Sequence, residues 1–171
     1  MDLVTEAANL QSVSIEKLAD EKSLITCAKM MVCANPWNVL NFTEDQCLKD
    51  LSDPLLVVYG ALNHERAIVG FLAAMKNGIG FEPMIEYLCV REDVRGCGIG
   101  TRLINHFESV LFPTADNLYL FVSDINPKAM ALYVRLGYLQ VGALPNFNLV
   151  GQTEFLHRKS RRPKQQERVN A

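Results

Sequence analysis

Gly96, Gly98 and Gly100 alternate with Cys97 and Ile99 between two segments of opposite character, and no other feature narrows the fold as much. On one side, Met84 to Val90 (Met-Ile-Glu-Tyr-Leu-Cys-Val) is a short aliphatic and aromatic run of the kind a buried strand needs. On the other, Ile99, Leu103, Ile104, Phe107, Val110 and Leu111 recur with the 3.6-residue period of a helix buried along one face. The glycines therefore occupy a strand-to-helix turn. Lacking Cβ atoms, they let the backbone approach a ligand closely, and the first-turn N–H groups of the helix, with its dipole, point at whatever lies there. Arg95 adds a forked cationic donor. Such a turn suits a pyrophosphate.

Three phosphate-binding readings compete for it. A P-loop needs a lysine before its hydroxyl residue, and Gly100-Thr101 has none. A dinucleotide fingerprint needs a third glycine where Thr101 stands and normally opens a series of βαβ units, although Asp124 lies at about the right distance for a ribose. The third pattern is R-x-x-G-x-G, filled by Arg95, Gly98 and Gly100. A structural glycine turn would satisfy that pattern too. The second half of the chain argues against it. Leu118 to Val122 reads as another buried strand and is followed by Asn126-Pro127-Lys-Ala129-Met-Ala-Leu132-Tyr133-Val-Arg-Leu136-Gly137-Tyr138. There Pro127 fits a first helical position and Gly137 the position just past a helix end.

The two motifs, in this order and spacing, resemble the GNAT superfamily of N-acetyltransferases from about Met84 to Tyr138, and more loosely beyond. The resemblance implies an α/β fold with a mixed, mostly antiparallel central sheet and helices on both faces. It implies acetyl-CoA as co-substrate, with its pyrophosphate on Arg95, Gly96, Cys97, Gly98, Ile99, Gly100 and Thr101. Backbone groups of Leu88, Cys89 and Val90 would hold the pantetheine arm and polarise the thioester carbonyl. Asn126 would bond the pantetheine or cap its helix, two roles that are compatible. No metal is implied.

At 171 residues, 49% of them hydrophobic, the chain suits one domain with a single sizeable core, and no internal repeat is visible. We place the domain at residues 1–158 and a basic, flexible tail at 159–171. From Arg158 onward six basic residues face only Glu167, so this end carries about +5 and the rest about −7. The end has neither aromatic residues for stacking nor an apolar helical face, so neither nucleic acid nor membrane is expected as a partner. The acidic body favours a cationic substrate. Nothing reads as a signal peptide or membrane span, and Cys27, Cys33, Cys47, Cys89 and Cys97 show no metal-ligand spacing, so a reducing, cytoplasmic setting is expected. Oligomeric state is left open, a homodimer included.

The remaining elements read, in order, as a strand over Leu10 to Leu18 and a helix carrying Leu24, Cys27, Ala28, Met31 and Val32. Asn35-Pro36-Trp37 breaks that helix. A second helix follows the capping-box pair Thr43 and Gln46, then two strands around the Asn63-His64-Glu65 turn, and a last strand near Thr153 to His157. Pro36 and Trp37 either line a substrate wall or pack the turn.

Moving an acetyl group from a thioester to an amine needs a base, because an alkylammonium with a pKa near 10.4 is protonated at pH 7. It also needs a donor for the carbonyl oxygen and an acid for the departing thiolate. The resemblance assigns the acid to Tyr133, which would otherwise be an ordinary aromatic core residue. Glu86 shares parity with Leu88 and Val90, which would put all three on one face of the strand. A carboxylate in a buried strand is costly unless paired or functional, so Glu86 is either the base, acting through water as the resemblance suggests, or half of a salt bridge. Glu82 is the reserve candidate. Cys89 is placed where a thiol could carry an acyl group, but it reads better as a small buried hydrophobe. His64, His106 and His157 have no motif support, and His106 reads as an exposed surface residue. The expected activity is acetyl transfer from acetyl-CoA to a primary amine, on a small molecule or a protein, by direct attack in a ternary complex. The alternatives are an acyl-CoA-binding module without turnover, or an N-acyltransferase using a longer acyl group.

Overall fold

The computed structural model describes residues 13–161. Among them, seven strands form one sheet in the order β1-β2-β3-β4-β5-β7-β6. These are β1 (Ser14–Leu18), β2 (Leu56–Leu62), β3 (Ile68–Met75), β4 (Met84–Val90), β5 (Asn117–Ser123), β6 (Leu139–Pro145) and β7 (Thr153–Ser160). Every neighbouring pair is antiparallel except β4 with β5, as expected for a mixed, mostly antiparallel sheet. One parallel pair does not make a series of βαβ units, and the dinucleotide reading falls with it. Asp124, its ribose candidate, accepts the N–H of Thr153 through Oδ2 at 3.0 Å. Residues 10–12 of the first expected strand lie outside the described residues.

Helices α1 (Glu21–Val32) and α2 (Glu44–Leu51) cover one face of the sheet, and α3 (Ile99–His106) and α4 (Pro127–Arg135) the other. Each starts or stops where a local signal dictates. Thr43 caps α2 reciprocally: Gln46 N–H donates to Thr43 Oγ1 at 3.3 Å, and Thr43 N–H to Gln46 Oε1 at 2.9 Å. Asn126 caps α4 by accepting from Ala129 N–H at 3.2 Å, Pro127 opens the helix, and Gly137 follows it at φ +89°. Two cores result. Cys27, Ala28, Met31, Cys47 and Leu51 pack on Phe71 and Ala73, while Ile99, Leu103, Ile104 and Phe107 pack on Leu118, Leu120 and Val122. All five cysteines are free, and no helix among the described residues is long and apolar enough to cross a membrane.

Two expectations fail where α3 ends. Val110 is 60% exposed, whereas Glu108 is buried. The cause is a π turn at Phe107–Leu111, in which Phe112 N–H bonds to Phe107 C=O at 3.1 Å, five residues back. The wider turn moves the buried stripe off the 3.6-residue period. His106, expected on the surface, is half-buried: its ring lies 4.7 Å from that of Tyr59 and its Nε2 is enclosed without a partner among the described residues. Burial lowers its pKa.

The boundary at residue 158 also moves. β7 runs to Ser160, and Lys159 Nζ lies 2.6 Å from Glu108 Oε2, in a pair that is largely buried. Arg161 closes the π turn by donating to the carbonyls of Phe112, at 2.7 Å, and Glu108. These two cations belong to the fold; residues 162–171 lie outside the described residues. Lys159→Ala is expected to cost about 2–3 kcal/mol in urea unfolding, somewhat less than the loss of one partner from a fully buried pair, because Glu108 is left enclosed and uncompensated.

Candidate active site

β4 and β5 pair only at Met84 with Tyr119 and at Ile85 with Leu120. Beyond that point the strands part, and a cleft of about 860 Å³ opens between them. At its floor lies the glycine turn. Gly96 and Gly98 have φ of +84° and +82°, a left-handed region that glycine enters without a Cβ penalty, and a Cβ built at either would meet no atom within 4 Å. Gly98 is the N-cap of α3 and has no side chain to satisfy the first-turn N–H groups, which leaves them for a ligand. This open concavity fits a pyrophosphate. Arg95, Gly96, Gly98, Ile99, Gly100 and Thr101 all line the cleft. Cys97 is exposed and does not, so only its backbone is placed to take part. Arg95 Nε donates to the Val90 carbonyl at 3.0 Å, which ties the guanidinium to the end of β4 and occupies a group expected to face the pantetheine.

Leu88, Cys89 and Val90 form one wall, with Asn126 and Tyr133 near the other. The Cys89 thiol donates to the Met30 carbonyl at 3.7 Å, and burial pushes its pKa up to about 12. It is the small buried hydrophobe and not a nucleophile. Tyr133 is 6% exposed, and its ring stands edge-on to Tyr138 at 6.1 Å. Its hydroxyl has no bond among the described residues. Burial raises its pKa, so the phenol is neutral at pH 7 and keeps a proton to donate.

Glu86 is where the parity argument breaks. The register shifts between Ala73, opposite Tyr87, and Ala74, opposite Ile85, so Glu86 is the unpaired residue of a β-bulge. Leu88 and Val90 pack toward α3 and α4, whereas the acids that act on Glu86, Asp50 and Asp53, sit at the end of α2. The bulge thus separates Glu86 from Leu88 and Val90 and turns it toward the α1–α2 side. There it lines the cleft with Trp37, Phe42 and Tyr87. Glu86 has no ion pair among the described residues, and burial first, then Asp50 and Asp53, raise its pKa. The salt-bridge alternative is therefore not met. Glu82 is outside the cleft and accepts from Asn117 Nδ2 at 3.2 Å. Trp37 does both things asked of it: it lines the cleft beside Pro36 and packs edge-on against Tyr87 at 6.1 Å.

The acetyltransferase (GNAT) family model matches residues 22–138, from α1 through the glycine turn to the end of the α4 motif. The chain belongs to the GNAT family of acetyltransferases. No curated protein matches it in sequence. Among solved structures, this GNAT chain is similar to an aminoglycoside 6'-N-acetyltransferase complexed with coenzyme A, at 20% identity and a TM-score of 0.70 over 88% of this chain and 98% of that one. It is similar as well to a GNAT-family protein from Desulfovibrio desulfuricans, at 14% identity and a TM-score of 0.70 over 87% and 99%. A third is the spermidine/spermine N-acetyltransferase of Vibrio cholerae, at 17% identity and a TM-score of 0.65 over 88% and 94%. Likeness at these identities is likeness of fold.

Five residues of this GNAT cleft have no counterpart in the motifs. Phe147, from the β6–β7 loop, stacks on Phe121 at 5.9 Å and forms the lip. Ser123 and Glu154 are buried in the wall, and Lys128 and Arg135 line it from α4. Only the last pair left a sequence signal, two cations seven residues apart on one helix face.

Proposed function

We infer that this chain transfers an acetyl group from acetyl-CoA to a cationic primary amine by direct attack within a ternary complex. One observation carries the reading: a single cleft brings together the open glycine turn, the parted ends of β4 and β5, the Tyr133 hydroxyl and the Glu86 carboxylate. Bound acetyl-CoA supplies the activated thioester carbonyl. First-turn N–H groups of α3, with Arg95, hold its pyrophosphate, and the backbone of Leu88 to Val90 receives the pantetheine. Glu86 takes the proton from the ammonium, directly or through water, so that the nitrogen lone pair is free to form the N–C bond. As the C–S bond breaks, Tyr133 donates its hydroxyl proton toward sulfur, and the second proton that the nitrogen loses as the amide forms restores the tyrosyl hydroxyl through solvent.

The acceptor side supports a small cationic amine. Its aromatic rings, Trp37, Tyr87 and Phe121, suit a cation, and Glu86 with Asp50 and Asp53 makes the region acidic. The structural neighbours named for acetylation of aminoglycosides and of spermidine/spermine are consistent with this class. The test is release of free thiol from acetyl-CoA with a panel of small amines. Tyr133→Phe is expected to lower kcat by about 10²–10⁴-fold and to leave the Kd for acetyl-CoA unchanged. Tight acetyl-CoA binding with no thiol release for any amine, unaffected by the substitution, would instead support a sensing module.

A further inference from the structure

Ser123 and Glu154 stand directly opposite each other on β5 and β7, and neither has a reason in the fold. Ser123 is 4% exposed, and its Oγ is enclosed with no hydrogen-bond partner. Glu154 is 6% exposed, and its carboxylate has neither a hydrogen bond nor an ion pair among the described residues. An enclosed hydroxyl left unpaired is costly and calls for a partner, and opposite it the Glu154 carboxylate, whose oxygens are not enclosed, opens into the cleft without one. Both line the cleft. They lie on the strand face that carries Phe121, since Ser123 is two residues further along β5, so the stacked Phe121 and Phe147 rings form an apolar wall beside them. This face belongs to the α1–α2 side, where Glu86 turns, and is opposite the face on which Val122 packs with Tyr133.

Register sets a lower bound on how far this pair is from the proposed base. Extending the β4–β5 pairing puts Phe121 level with Glu86, with Ser123 two residues on and Glu154 one strand further across. Regular strand rise and spacing would put Glu154 on the order of 10 Å from Glu86 at the backbone, and because the strands part beyond Ile85 and Leu120 the gap across the cleft is wider than that. A group bound at Ser123 and Glu154 is therefore several bonds away from an amine bound at Glu86.

We propose that Ser123 and Glu154 form a second acceptor subsite, which binds an ammonium group remote from the amine that is acetylated, so that the preferred acceptor is a diamine or longer polycation. The carboxylate gives a charge-assisted hydrogen bond and the Ser123 oxygen a second acceptor, while the aromatic lip covers the methylene spacer. The assignment rests on the amine-acetyltransferase reading and adds which amines are favoured.

The test compares α,ω-diamines from 1,3-diaminopropane to 1,6-diaminohexane with monoamines of the same chain length, by thiol release. The wild type is expected to show a higher kcat/KM for diamines, carried by KM. Glu154→Gln is expected to reduce that preference ratio at least tenfold, Ser123→Ala to reduce it less, and Glu154→Asp to keep part of it. Circular dichroism confirms that each variant is folded. No diamine preference in the wild type, or an equal effect of Glu154→Gln on diamines and monoamines, overturns the subsite. If no amine releases thiol, the acetyl-transfer reading fails separately. Calorimetric titration of 1,6-diaminohexane into the coenzyme A-saturated protein then decides the subsite: binding weakened by Glu154→Gln supports it, and no binding overturns it.

Discussion

Glu86→Gln is expected to lower kcat for any accepted amine by about 10²–10⁴-fold and at the same time to raise the melting temperature at pH 7 by a few degrees. The two effects share a cause. The β-bulge leaves Glu86 without a cross-strand partner and turns it into the cleft, where burial, then Asp50 and Asp53, raise its pKa above the ordinary 4.5. A carboxyl whose pKa is higher in the folded chain binds more protons there than in the unfolded chain. Its stabilising contribution is thus present at low pH and lost as pH rises through the folded-state value. At pH 7 the ionised group is a liability, which glutamine removes; below about pH 4.5 both states are protonated and the advantage vanishes. In kinetics, the same elevation should place the acid limb of kcat/KM above the usual carboxylate range, and glutamine should abolish that limb. Thermal melts at pH 7 and pH 4, with a pH–rate profile, check both halves. A variant that is less stable at pH 7 would mean that Glu86 is engaged in a pair, and an unchanged kcat would remove it from the chemistry.

Whether a feature was legible in the sequence depended on how local its cause was. The Thr43–Gln46 capping box, Pro127 and Gly137 at the two ends of α4, and the glycine turn are written within a few residues, and each is found where the residues put it. The facing of Glu86 is not local, since parity along β4 holds only while β3 stays in register, and the shift opposite Ala73 and Ala74 is a property of the pair. The same is true of α3. Its apolar period predicts Val110 inside, but the π turn is completed by Arg161 from the far end of the chain, and Glu108 turns in to meet Lys159. A tail read as solvated charge therefore supplies two structural cations. Ser123 and Glu154 are 31 positions apart and become neighbours only because β7 inserts between β5 and β6. No spacing rule announces that pairing.

The glycine turn provides the other large expected effect. Gly98→Trp should weaken acetyl-CoA binding by about 100-fold or more, ~2.7 kcal/mol, in a calorimetric titration, and should abolish turnover at ordinary cofactor concentrations. A Cβ at this position meets no protein atom within 4 Å, so the side chain leaves the backbone into the open turn. What the indole displaces is whatever the first-turn N–H groups of α3 would otherwise meet. The φ of +82° adds a conformational cost of about 1–2 kcal/mol, which a domain of ordinary stability tolerates. Gly137→Ala separates the two contributions. It incurs the same left-handed penalty at φ +89°, its Cβ would meet only Lys159 Cε at 3.7 Å, and it lies outside the cleft. It should therefore lower stability by a similar amount and leave acetyl-CoA affinity intact. Equal loss of binding in both variants would mean that destabilisation is the cause and the turn is not the site. Wild-type affinity in Gly98→Trp would move the pyrophosphate elsewhere in the cleft, and with it the roles assigned to Arg95 and the end of β4. No heat and no thermal shift with the wild type would leave a GNAT fold whose turn serves as scaffold, because the motifs and the sheet would stand while the chemistry drawn from them would not.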